Sequence, residues 1–335
     1  MITVLRRTAG ALALVLGAGC VQGNIWPVED TSVGHAVGNS SREFQQYGAG
    51  APYYHGGIDV REPPAPGGPW LRSVDSGTVA VSYNPNPIYH GVTITTVATT
   101  QFGYWHVDSA SITPAVLNAW LNGTVLPRDV RMGQIVTWPS CGFHHVHFFR
   151  QRPDGETDPM VFVVPRNEAA RPTINGVFFA QNTSDTYFGG GIPAVSGDVD
   201  IVAEISDSIF TTAHLTGAYN VRYKIQRRRR IFIVTWWQTV ARVDSIFPRI
   251  YRPAGATAAV VFQTAAPRAS SSNYCGTEVY YYVVTNGVES GYNDANGFWD
   301  TDGGGFPNGR YRVRVTARDA RGNKTEFKQR LDVAN

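Results

Sequence analysis

His55-Gly56-Gly57-Ile58-Asp59 sets an imidazole and a carboxylate four residues apart, and in an extended segment even spacing turns both side chains to one face. His145-Val146-His147 repeats the logic with two imidazoles two residues apart, which a strand projects together while His144 and Val146 point the other way. Imidazole with carboxylate is a donor set suited to Zn²⁺. Each pair alone is a weak signal, since a histidine in a strand is more often a hydrogen-bonded surface or core residue. Two pairs able to converge on one ion make a metal site the expected chemistry.

Such pairs need short strands to carry them. Residues 77–83, 92–97 and 145–149 alternate with the period of two of a half-buried strand. One helix is expected at 113–123, with Thr113 as N-cap, Pro114 in the first turn and Gly123 after the last. Beyond about Arg171 further strands are expected at 199–205, 221–225, 279–284 and 311–317, separated by turn residues in the manner of a β-sandwich. The fold class is therefore all-β, an antiparallel β-sheet domain followed by a sandwich. Residues 21–43, rich in Gly, Ser and Asn and without apolar periodicity, read as a tether or wrapping arm.

Composition agrees. Hydrophobic residues make up 43% of the 335, charged residues only 16%, and 35 Gly and 20 Pro supply turns. Arg6 and Arg7, an apolar stretch from Ala9 to Leu16, and Gly17, Ala18 and Gly19 before Cys20 form an export signal over residues 1–20. The net charge of +3 falls by two when that segment is removed, which argues for no nucleic-acid partner. Cys20 resembles the lipobox cysteine of bacterial lipoproteins, although Gly17 stands where that pattern usually has Leu. The chain is thus expected in the cell envelope, anchored to a membrane through a lipidated Cys20, or secreted. Cys141 and Cys275 are then left either to pair in an oxidising compartment or to lie as buried thiols. Arg227 to Arg230 read as a solvated loop or edge, and Trp236-Trp237 and Tyr280 to Tyr282 as residues divided between a core and a face.

The histidine motifs resemble those of the M23 family of cell-wall metallopeptidases, the lysostaphin and LytM class, whose signature is His-x-Gly-x-Asp, then an isolated His, then His-x-His. His55-Gly56-Gly57-Ile58-Asp59 matches the first piece and His145-Val146-His147-Phe148 the last. Between them Ser76-Gly77-Thr78-Val79 is similar to the family's Gly-x-Val strand, Tyr104-Trp105-His106-Val107 to its Tyr-Ala-His-Leu, and Met132-Gly133-Gln134-Ile135 to its Gly-Gln turn. The resemblance spans a peptidase domain at 44–168. It implies a β groove with His55, Asp59 and His147 as zinc ligands on its floor and His106 and His145 flanking a catalytic water. The implied activity is zinc-dependent hydrolysis of peptide bonds in peptidoglycan stem peptides or cross-bridges. The alternative is a catalytically silent module of the same type that binds the wall or regulates an amidase; such modules have usually lost ligands, and all five residues are present here. Trp138 to His144 replace the family's usual Gly-x-Ser/Thr-Gly run at the groove, which leaves substrate choice less defined than the metal. The last part of 171–335 resembles the final hairpin of bacterial immunoglobulin-like modules.

Overall fold

The computed structural model describes all residues except 1–22, 47–49, 183, 212, 246–257, 273–274, 277, 287–296 and 304. The export signal and Cys20 lie outside the described residues.

The first half is an eight-stranded antiparallel sheet. Its strands are β1 (Val37–Asn39), β2 (Ile58–Arg61), β3 (Gly77–Ser82), β4 (Gly91–Thr95), β5 (Gln101–Trp105), β6 (Val125–Leu126), β7 (His145–Arg152) and β8 (Gly155–Thr157), in the order β6-β3-β4-β5-β7-β2-β1 with β8 on β7. Helix α1 (Pro114–Asn122) packs beside β3 as its caps foretell. Gly123 closes it in the left-handed conformation at φ 61°, while the Thr113 hydroxyl donates to the Arg131 carbonyl instead of capping. One face of the sheet buries Val60, Ile94, Tyr104, Val146 and Phe148 in a continuous core.

Among the described residues the second half holds two larger sheets and one short pair, Ser271–Ser272 with Glu278–Val279. One joins β9 (Thr173–Gln181), β11 (Asp198–Ser206), β14 (Tyr281–Val283) and β15 (Trp299–Asp300); the other joins β10 (Ala194–Val195), β12 (Asn220–Ile231), β13 (Val234–Ser245), β16 (Gly309–Arg318) and β17 (Lys324–Val333). Alternate residues of both, such as Ile201 and Ala203 on one side and Val313 and Val315 on the other, meet in a second core. The strand expected at 279–284 is broken: Tyr280 sits between two short pairings and is fully buried. Tyr282 is buried too, and Tyr281 is half-buried. Arg227 to Arg230 lie in β12 rather than in a loop.

The stretch read as a tether or wrapping arm is packed. Asn24–Ile25 pairs with Val163–Val164, β1 forms the edge of the main sheet, and Phe44–Gln45 pairs with Tyr53–Tyr54. Its strands are two or three residues long, too short to show a period. Phe44 and Tyr54 enter the core of the second half, while Ile209 enters the core of the first. Cys141 and Cys275 form a disulfide between the halves, with Cα atoms 5.5 Å apart, so the alternative of two buried thiols does not hold. Among the described residues no helix is long and apolar enough to cross a membrane.

Burial lifts the carboxyls of Asp207 and Glu278 to about 8. The folded chain holds these protons more tightly than the unfolded chain, so their contribution is complete below the ordinary carboxyl range and is lost as pH rises toward about 8. His106 and His214, lowered by burial to about 3 and 4, slope the other way only up to about pH 6.5. The melting temperature is therefore expected to fall between about pH 6.5 and 8, less steeply in Asp207→Asn. Melts showing a flat or rising Tm across that window would contradict this.

Candidate functional site

Asp59 on β2 and His147 on β7 are direct cross-strand partners. Residues opposite one another share a face, and His145, two residues back, shares it as well. Val60 and Val146 point into the core on the other side and fix which face that is. His55 reaches the same face by a different route from the extended spacing expected in sequence. It precedes β2, in the turn before it, and is placed by two backbone bonds, His55 N–H to the Glu43 carbonyl at 3.0 Å and Arg42 N–H to the His55 carbonyl at 2.9 Å. Gly57 lets this turn cross β7, since a Cβ there would lie 2.4 Å from the Phe148 carbonyl oxygen and 3.1 Å from a carbon of the His147 ring.

Three ligand atoms converge. His55 Nε2 lies 2.9 Å from His147 Nδ1, His147 Nδ1 lies 3.0 Å from Asp59 Oδ1, and His55 Nε2 lies 3.2 Å from Asp59 Oδ1. A tetrahedral ion bound at about 2.0–2.1 Å holds its ligand atoms roughly 3.3 Å apart. The triangle is close to that size, and the three residues form a group able to hold a metal ion. The tautomer agrees: His55 Nδ1 donates to the Ser40 carbonyl at 2.9 Å, which directs the Nε2 lone pair inward. Beside them Asn39, the register partner of Asp59 on β1, buries an Oδ1 without a hydrogen-bond partner.

The electrostatics express the same demand. Burial opposes ionisation of Asp59, yet the neighbouring His55 and His145 hold its carboxyl well below the usual range. Burial likewise disfavours a charged His55, but Asp59 and Glu43 raise it to about 9. A carboxylate this deep requires a positive charge, which either a second proton on His55 or a metal cation supplies.

His106 and His145 stand next to the triad. His106 follows β5 in a left-handed conformation, φ 69°, an uncommon backbone for a residue with a side chain and one that costs about 1–2 kcal/mol. Its ring centre is 4.6 Å from that of His145 and 6.3 Å from that of His147. Each directs Nδ1 at a backbone carbonyl, His106 at Ile88 over 2.6 Å and His145 at Phe143 over 2.7 Å, so Nδ1 carries the hydrogen and Nε2 the lone pair. Burial lowers both, His106 to about 3 with help from the adjacent His145, and both are neutral at physiological pH.

A groove of about 490 Å³ runs over these residues, walled by Tyr53, Tyr89, Trp105 and Trp138. Trp138 packs on both rings, 4.8 Å from His106 and 4.9 Å from His145. Cys141, in a disulfide, offers no thiolate to a metal, and His144 faces away, its Nδ1 accepting the Trp138 N–H at 2.9 Å. His90 accepts the Asn84 N–H, and His35 and His214 bond Glu62 and Glu278, all outside the groove lining.

The sequence reading passed over Ser40 and Glu43. The buried Glu43 carboxylate accepts from the Ser40 N–H at 2.7 Å, the Ser40 hydroxyl at 2.9 Å, the Gly217 N–H at 3.1 Å and the Asn39 amide, and so holds the carbonyl that orients His55. The Ser-x-x-Glu spacing of a capping box was the available signal, here closing a turn without a helix.

No protein-family model matches the chain, and no curated protein matches it. Among solved structures, the antimicrobial peptidase lysostaphin from Staphylococcus simulans is similar over 75% of this chain and 92% of its own, at 12% identity and a TM-score of 0.28. A likeness that distant carries no functional weight, and the weight falls on the five side chains and the groove above them.

Proposed function

We propose that this chain is a zinc-dependent endopeptidase that hydrolyses peptide bonds in peptidoglycan stem peptides or cross-bridges. The observation that carries the reading is the meeting of His55 Nε2, Asp59 Oδ1 and His147 Nδ1 at bonding distances from one point, beside two further neutral imidazoles in an open groove. His55, Asp59 and His147 would hold the ion. Zinc in such a three-ligand site supplies a Lewis acid and acidifies a water to a pKa of about 7.

The remaining residues handle protons and position. With Nδ1 fixed on a carbonyl, Nε2 of His145 or of His106 accepts the proton that the attacking water must lose. The protonated imidazole then returns it to the departing amine. The aromatic walls give an extended peptide flat apolar surfaces and exclude water around its scissile bond. The Cys141–Cys275 disulfide suits an exported chain, whether anchored through Cys20 or secreted.

The test is metal content and cleavage of purified peptidoglycan by the mature chain. Stoichiometric zinc with release of new amino termini supports the enzyme. Zinc without cleavage would favour the silent module, and absence of zinc would sink the zinc-enzyme reading. The hydrogen-bonded support of His55 is tested separately by Glu43→Gln, whose amide cannot accept all four bonds. Zinc affinity is expected to fall about 10–100-fold in a chelator competition, as for other outer partners of metal ligands.

A further inference from the structure

The β12–β13 hairpin outruns its sheet. β16 accompanies β12 only as far as Arg227, opposite Tyr311, and the remaining pairs from Arg228 to Ile231 have β13 as their one partner. A two-stranded ribbon is marginal in water, and this one ends in an apolar tip: Ile231, Phe232, Ile233 and Val234 are 58%, 89%, 90% and 62% exposed. The turn itself is Phe232-Ile233, with Phe232 at φ 50°, where a two-residue hairpin favours Asn or Gly. Folding in water explains neither the exposure nor the choice of turn residue.

Behind the tip come four arginines and two tryptophans. Arg228 faces Trp237 across the ribbon and Arg229 faces Trp236. No Asp or Glu occurs between Gln226 and Arg242, and among the described residues none of Arg227 to Arg230 forms an ion pair. Hydrogen bonds from Arg229 Nε to Gln238 Oε1 and from Arg230 Nε to the Phe232 carbonyl hold two of the guanidinium groups in place. At roughly 3.3 Å per residue, Trp237 lies about 10 Å back from Val234. The guanidinium groups and the indoles thus share one level behind the apolar tip, as Arg and Trp side chains do at the headgroup level of a monolayer whose acyl boundary takes the apolar residues.

We propose that this hairpin tip docks on a bilayer surface containing anionic phospholipid, with Phe232 and Ile233 entering the acyl boundary and Arg228 to Arg230 meeting lipid phosphates. A polyanionic polymer would use the arginines and leave the apolar tip in water. A second copy docking tip to tip would bring two arginine clusters together.

The chain from Val21 onward contains every described residue and lacks the leader and Cys20, so it reports on the hairpin alone. It would be sedimented with vesicles of phosphatidylcholine and with vesicles in which phosphatidylglycerol supplies part of the headgroups. Binding is expected only to the second, weakened about fivefold by each of Arg228→Gln and Arg230→Gln and tenfold or more by Phe232→Ser with Ile233→Ser. These side chains lie outside both cores, so the melting temperature is expected to stay unchanged, which separates lost docking from lost folding. Absence of binding, equal binding to neutral vesicles, or serine variants that bind as well as the parent would each overturn the proposal. So would tip-dependent self-association in sedimentation velocity, or polyphosphate binding that outcompetes the vesicles and ignores the serine substitutions.

Discussion

His55→Ala is expected to strip the zinc from the chain and wall cleavage with it, whereas His145→Ala is expected to keep the zinc and lose cleavage by about 10²–10⁴-fold. The difference follows from atom positions. His55 Nε2 is one of three atoms that meet within about 3 Å of each other, and two ligands cannot retain a catalytic ion well. His145 Nε2 stands 3.8 Å from Asp59 Oδ1, within reach of a proton in the groove and outside the triangle. Elemental analysis of both variants, read beside the release of amino termini from peptidoglycan, separates the two roles. Equal zinc loss in both would falsify the division between ligand and base.

Removing the disulfide as Cys141→Ser with Cys275→Ser is expected to be the most destabilising surface change available. The bridge closes a separation of 134 residues, for which loop-closure entropy amounts to about 5 kcal/mol. A drop in melting temperature on the order of 10 °C follows for a chain of this size. Cleavage is expected to suffer as well, because Cys141 lies on the loop that presses Trp138 against His106 and His145. Zinc content is expected to hold, since no ligand lies on that loop. Thermal melts with and without reductant check the first part, and a parent chain whose Tm ignores reductant would show that the bridge contributes nothing.

What could be read without coordinates was whatever rests on a short period or a local cap. The alternation in 145–149 and 77–83 marked strands, and Thr113, Pro114 and Gly123 bracketed the single described α-helix. His55, Asp59, His106, His145 and His147 were legible because their spacing is local or matches a known signature, and the structure brings all five together. The supports were not. Glu43 accepts the N–H of Gly217, 174 residues away, and Phe44 and Tyr54 are core residues only because a distant sheet covers them. Strands of two or three residues leave no periodic trace, so the stretch that holds β1 read as a tether or wrapping arm. The arginine run read as a solvated loop or edge from its charge, but what makes it unusual, the naked apolar turn beyond it, depends on where β16 stops.

The disulfide also sets an order of events in the life of the chain. On the proposed export the amino end arrives first, so His55, Asp59, His147 and Trp138 reach their compartment well before Cys275. Until that last cysteine arrives, one wall of the groove has nothing to fasten it, and the Glu43 turn waits for Gly217. On the proposed reading, a chain assembled in this sequence completes its groove only after Cys275 has been delivered.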